Sequence, residues 1–97
     1  PRAVLFTDIV GSTAYFEQRG DEAGMAMVER HNELLFPVVD RHGGTVIKTI
    51  GDAIMAAFPD AASAVQAGVG MQAELKIHNA SQADSEGIRV CSGINLG

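Results

Sequence analysis

The sequence predicts an α+β domain built from one sheet with helices packed on one of its faces. Three observations carry that expectation. Residues 3–10 and 45–58 read as strands, the second stretch broken by Gly51-Asp52. Two long segments with apolar residues at helical spacing, residues 21–41 and 60–79, follow the first strand and the hairpin in turn. An alternating segment, residues 87–97, closes the chain. The resulting order is β-α-β-β-α-β.

Each element has a local reason. Residues 3–10 run Ala-Val-Leu-Phe-Thr-Asp-Ile-Val, and the apolar start suits a central strand buried on both faces. Gly11-Ser12-Thr13 breaks the strand, and Ser12 or Thr13 is placed to cap a short helical turn through Tyr15, Phe16 and Arg19. Asp21 is expected to cap a long helix to about Arg41, with Met25, Val28, Asn32, Leu35 and Val39 as its core stripe and Leu34 and Val38 widening it. Pro37 lies inside this helix and is expected to kink or divide it, because it has no N–H for the carbonyl of Glu33. Gly43-Gly44 ends it. In the next strand Val46, Lys48 and Ile50 alternate to one face and Thr45, Ile47 and Thr49 to the other. Gly51-Asp52 signals a hairpin, and residues 53–58 return. Asp60 caps a second long helix carrying Ala61, Ala64, Val65, Gly68, Met71, Gln72 and Leu75 on one side. Residues 81–85 form a polar loop. In the last strand Ile88, Val90, Ile94 and Leu96 share one face, and Arg89, Cys91 and Asn95 the other.

This order is the ferredoxin-like arrangement. A strand–helix–strand crossover makes the first two strands parallel, with the third between them. Asp8, at the end of the first strand, and Asp52, just after the second, then reach the same edge of the sheet.

Composition narrows the function. With 97 residues the chain is one domain at most, and 46% hydrophobic residues suffice for a modest core. The ends read as cut: Pro1 and Arg2 lead straight into a strand, and Ile94 to Gly97 stop within or just after one, so a fragment of a larger domain is expected. The net charge of −5 and the lack of a basic stripe argue against nucleic acid as partner. One cysteine excludes an internal disulfide and fits a reducing, cytoplasmic compartment. No apolar run is long enough to span a bilayer, so a membrane enters only through other domains of a parent protein.

Two carboxylates beside a glycine-bearing turn suit Mg²⁺ or Mn²⁺, which take oxygen ligands and keep room for phosphate. The carbonyl of Ile9 is a further candidate ligand. The amides after Asp8 open a helix and favour an anion. Together these favour phosphoryl transfer or cyclisation. Asp after a strand and Gly-Asp in a hairpin are equally ordinary turn chemistry. Lys48 reads either as a solvated strand lysine or as a group reaching a base or phosphate. His31, His42 and His78 share no metal-like spacing and read as surface or helix-end residues, and Cys91 as packed in its strand.

Phe-Thr-Asp-Ile-Val-Gly-Ser-Thr at positions 6–13, Gly-Gly-Thr-Val-Ile-Lys-Thr-Ile-Gly-Asp-Ala-Ile-Met-Ala-Ala-Phe at 43–58 and Gly-Ile-Asn-Leu-Gly at 93–97 resemble the class III adenylate and guanylate cyclase catalytic domain. The resemblance covers essentially the whole chain and implies the N-terminal portion, residues 1–97, of a truncated palm-type cyclase fold. It implies that Asp8 and Asp52, with the Ile9 carbonyl, hold two Mg²⁺ or Mn²⁺ ions. It implies that Gly11, Ser12 and Thr13 contact substrate phosphates. It implies that Lys48 selects adenine, where guanylate cyclases usually carry glutamate, so that ATP becomes 3′,5′-cyclic AMP and pyrophosphate in signal transduction. The family works as head-to-tail dimers, so a homodimer is implied, with Lys48 serving the site opposite to that of its own aspartates. The family's second base-selecting residue and its transition-state asparagine and arginine lie beyond the strand ending near Gly97, so residues 1–97 alone are expected to be nearly inactive. A catalytically silent regulatory or dimerisation domain on the same fold is the alternative. An aspartyl-phosphate phosphatase is disfavoured because Val10 stands where its second acid belongs, and a diguanylate-cyclase-like enzyme because the hairpin reads Ile-Gly-Asp-Ala.

Overall fold

The computed structural model describes residues 2–83 and 87–96. Pro1 and Gly97, where the ends read as cut, and Ser85, the last residue of the expected polar loop, lie outside the described residues. The element order is β1 (Ala3–Ile9), α1 (Ser12–Arg19), α2 (Asp21–Arg41), β2 (Thr45–Ile50), β3 (Ala53–Phe58), α3 (Ala61–Ala80) and β4 (Val90–Leu96). The strands form one sheet in the order β2-β3-β1-β4. Every neighbouring pair is antiparallel. Strands β1 and β2 therefore run the same way with β3 between them, as the crossover argument requires.

One sheet face carries the core. Ala3, Leu5 and Ile9 of β1 and Ile54, Ala56 and Phe58 of β3 are buried on it. Leu35, Val38 and Val39 of α2 and Ala64, Ala67, Met71 and Leu75 of α3 close over them. The small residues of α3 let that helix lie close to β1 and β3. Its outer side is apolar too: Val65, placed in the core stripe by the sequence reading, is exposed, as are Val69 and Ile77. The inward stripe runs instead through Ala67, three residues from Ala64 and four from Met71.

The helix termini differ from the expected caps. Gly11, at φ 74°, is the N-cap of α1, and neither Ser12 nor Thr13 caps with its side chain. Both already belong to the first turn. Gly20 is the N-cap of α2, and Asp21 with Glu22 lies inside its first turn, where negative charge meets the positive end of the helix dipole. Asp60 does cap α3: its Oδ1 accepts from the Ser63 N–H at 2.7 Å. Helix α2 continues through Pro37, which does not divide it. Both Pro37 and Glu33 are exposed, so the carbonyl that Pro37 leaves unpaired faces solvent. The helix stops as expected at Gly43, whose φ of 74° suits a residue without Cβ. The Gly43 N–H donates to the Asp40 carbonyl at 3.1 Å and the Gly44 N–H to that of Val39 at 2.9 Å, the paired bonds of a Schellman stop.

Strand β2 departs from simple alternation. Val46 pairs with Ala56, yet Lys48 pairs with Met55, so Ile47 is an extra residue, a β-bulge. The bulge sets Val46 on the helix-covered face with Ala56 and turns Lys48 and Ile50 to the open face. The expected single face of Val46, Lys48 and Ile50 is thereby corrected. In β4, Val90, Ile94 and Leu96 do share a face, since they pair with Ile9, Leu5 and Ala3. Ile94 and Leu96 remain exposed because β4 is an edge strand.

A side-chain clamp ties the approach to β4 onto α3. Asn79 Nδ2 donates to the Ile88 carbonyl at 2.8 Å, and the Ile88 N–H donates to Asn79 Oδ1 at 2.8 Å. The amide thus serves both backbone groups of Ile88, as a neighbouring strand would. Asn79→Ala leaves both unpaired and should cost about 1–3 kcal/mol in urea unfolding. Hydrogen bonds from Ser63, its backbone N–H foremost, hold the Asp60 carboxyl below its usual range. A carboxyl depressed in the folded state contributes stability above its unfolded pKa, and that contribution is lost as pH falls through the folded value. Asp60→Asn keeps the cap but cannot titrate, so its thermal midpoint should fall less steeply than wild type's in acid below about pH 4.

Candidate functional site

The β1–β3 ladder places the two aspartates. Thr7 pairs with Ile54, and continuing that register by two residues sets Asp52 beside Ile9, next to Asp8. Asp52 occupies the second position of a two-residue turn between Ile50 and Ala53. Gly51, the first position, has φ 59°, and no residue other than glycine takes a positive φ among those described. This is the pattern of a type II′ hairpin, which matches the strand twist and needs glycine first. The chemistry of the turn thus fixes where the Asp52 carboxylate stands.

Ser12, Thr13, Gly51 and Asp52 line one cleft of about 450 Å³, completed by Phe16, Glu17, Met25 and Val28. The cleft lies where the N-terminal turn of α1 meets the β2–β3 hairpin. The first-turn amides of α1 have no intrahelical acceptor, and that turn contains no acidic residue, so an anion is accommodated there. Gly11 contributes its carbonyl, which accepts from the Tyr15 N–H at 3.1 Å and starts the helix.

Asp8 is exposed and lies in register with Cys91 on the open face. Asp52 is half-buried, and its Oδ2 is enclosed with no hydrogen-bond partner. An enclosed, unpaired carboxylate oxygen is costly unless a ligand or cation engages the group. No three His, Cys, Asp or Glu side chains converge as a metal cage among the described residues. Two carboxylates and a backbone carbonyl match instead a hard ion that fills its shell with water and phosphate oxygens.

Lys48 is not in this cleft. It is exposed on the open face of the edge strand β2, in a row with Met55, Phe6 and Gly93 across the sheet. Phe6 is 39% exposed and Ile50 61%, so this face carries apolar groups around the lysine. Cys91 is exposed here, not packed as expected.

The sequence reading missed His31. It is fully buried, not at the surface, with Nδ1 2.9 Å from Asn32 Oδ1 and Nε2 enclosed without a partner. Burial lowers its pKa, while Asn32 and the nearby Asp52 charge raise it less. The signal was present: His31 lies three residues after Val28 and four before Leu35, on the same stripe. Met25, assigned to that stripe, is 58% exposed at the cleft. His42 is a helix-end residue as expected, its Nδ1 2.9 Å from the Val38 carbonyl oxygen. Among the described residues no helix is long and apolar enough to cross a membrane.

Comparison with known proteins agrees with this architecture. Residues 2–97 match the adenylate and guanylate cyclase catalytic domain. A serine/threonine-protein kinase of Myxococcus xanthus, pkn2, is 34% identical over 90 residues, 91% of this chain and 11% of the kinase. The adenylate cyclase of Podospora anserina is 43% identical over 63 residues, 65% of this chain and 3% of that protein. The crystal structure of the guanylyl cyclase Cya2 superposes with a TM-score of 0.86 at 28% identity, covering 99% of this chain and 53% of Cya2's. The chain thus spans about half of the solved cyclase and small fractions of its longer relatives. With its sheet order, hairpin aspartate and matched sequence taken together, the chain belongs to the family of adenylate and guanylate cyclase catalytic domains.

Proposed function

We propose that residues 1–97 are the N-terminal portion of an adenylate cyclase catalytic domain, converting ATP to 3′,5′-cyclic AMP and pyrophosphate in the cytoplasm. The observation that carries this reading is the cleft shared by the first turn of α1 and the Gly51-Asp52 hairpin, with Asp8 at the neighbouring strand end. Asp8, Asp52 and the Ile9 carbonyl would hold two Mg²⁺ or Mn²⁺ ions. Bound there, the ions supply positive charge that acidifies the ribose 3′-hydroxyl and neutralises the triphosphate. Gly11, Ser12 and Thr13 bind and orient phosphate oxygens through backbone amides. The 3′-oxygen bonds to the α-phosphorus as the bond to the departing pyrophosphate breaks, and the hydroxyl proton leaves to solvent.

Lys48 supports ATP as the substrate. The relatives bear both adenylate and guanylyl names, so their names leave the base open. A lysine exposed among apolar groups on the open face can meet a purine held against that face by a second copy in a head-to-tail homodimer. Lys48 stands on the edge strand β2, outside the cleft that the hairpin aspartate lines, which supports its serving the opposite site of the dimer. A second reading, a silent regulatory domain, draws on the relative named as a protein kinase.

Assays of the full-length protein with Mn²⁺ separate the two. The enzyme reading expects cyclic AMP from ATP and a loss of at least about 10²-fold in kcat on Asp52→Ala. Residues 1–97 alone should show little or no turnover. Lys48→Glu should lower kcat/KM for ATP by about 10-fold or more and shift preference toward GTP. A full-length protein inert toward both nucleotides would favour the regulatory reading.

A further inference from the structure

Two enclosed polar atoms near the hairpin have no partner: Asp52 Oδ2 and His31 Nε2. They come from different elements, the β2–β3 turn and the middle of α2. The His31 ring lies within electrostatic reach of Asp52. Val28, one helical turn before His31, lines the same cleft as Gly51 and Asp52, so this part of α2 backs the hairpin. His31 is 0% exposed, and its other nitrogen is engaged by Asn32 at 2.9 Å. A histidine on a core stripe could be replaced by any apolar residue if it only filled space. Its unengaged nitrogen, on the stretch of α2 that backs the hairpin with its enclosed carboxylate oxygen, gives it a more specific use.

We propose that His31 is a positioning residue for Asp52: its ring, oriented by Asn32, donates through Nε2 to Oδ2 and leaves the other carboxylate oxygen to face a metal ion. The neutral ring does this when Nδ1 is the acceptor, which requires the Asn32 amide to present its NH₂ group. Amide orientation follows from the hydrogen-bond network, and a donating Asn32 leaves the ring proton on Nε2, the nitrogen that then needs an acceptor. The arrangement is that of a buried side chain fixing a metal-binding carboxylate from behind. It rests on the reading of Asp52 as a metal ligand.

The test is Mn²⁺ binding to the metal-free full-length protein, followed by the electron paramagnetic resonance signal of free Mn²⁺. Wild type is compared with Asp52→Ala and with His31→Leu, His31→Gln and His31→Asn. The glutamine amide nitrogen reaches the place of Nε2, and the asparagine amide only that of Nδ1. Leu and Asn are expected to weaken Mn²⁺ binding by about 10-fold or more, with Gln retaining most of it. In the Asp52→Ala background, His31→Asn should bring no further loss. Thermal unfolding of the metal-free variants reports folding separately, and if the leucine protein fails to fold, the two amides decide. Asn and Gln proteins that both bind Mn²⁺ as wild type does, while Asp52→Ala binds weakly, overturn the positioning role and leave the metal reading standing. Unchanged binding in Asp52→Ala overturns the metal reading and this inference with it.

Discussion

Backbone pairing between β1 and β3 is the constraint on which the rest depends. It is antiparallel, central to the sheet, and in a single uninterrupted register from Ala3–Phe58 to Thr7–Ile54. A slip of one residue would turn Leu5 and Thr7 away from the helices and move Asp8 to the covered face. Burial of Leu5, Ile54, Ala56 and Phe58 on that face makes such a slip costly, because each would lose about 1.5–3 kcal/mol of burial where the side chain is large. The core thus specifies the site: the packing that seats the helices also sets Asp8 beside the hairpin that carries Asp52.

The site then concentrates what the core excludes. The enclosed atoms Thr7 Oγ1, His31 Nε2 and Asp52 Oδ2 are side-chain polar atoms without partners, and Thr7 pairs with Ile54, two residues from Asp52. Unpaired polar groups weaken a fold, so their grouping toward one end of the sheet fits a place shaped for binding. The bulge at Ile47 does related work on β2. It lets Val46 join the core while Lys48 stays on the open face, so one short strand serves both packing and surface recognition.

Much of this was legible in the sequence. The element order, the Gly43 stop, the Asp60 cap and the Gly51-Asp52 hairpin all follow from local chemistry, and local chemistry is written in adjacent residues. What escaped was set by neighbours distant in the chain. The Thr45–Ile50 segment alternates plausibly as written, and only its pairing with β3 reveals Ile47 as an extra residue. His31 followed the helical stripe but was set aside for its polarity. Met25 was included for its apolarity, although the cleft leaves it open. Ser12 and Thr13 have capping chemistry, yet Gly11 already supplies the turn and draws both into the helix. In the site, the shared edge of Asp8 and Asp52 came from topology, whereas the half-buried state of Asp52 needed the packed helix behind it.

The central claim is that Asp8, Asp52 and the first turn of α1 form one metal and phosphate site. The most direct measurement is a Mn²⁺ titration of isotopically labelled protein, reading paramagnetic broadening of individual amide signals by nuclear magnetic resonance. The account predicts that residues 8–13 and 51–53 broaden first and together, and that Asp52→Ala abolishes the effect. Broadening confined to surface acids such as Glu33 and Glu74, with the strand end and hairpin unaffected, would contradict it.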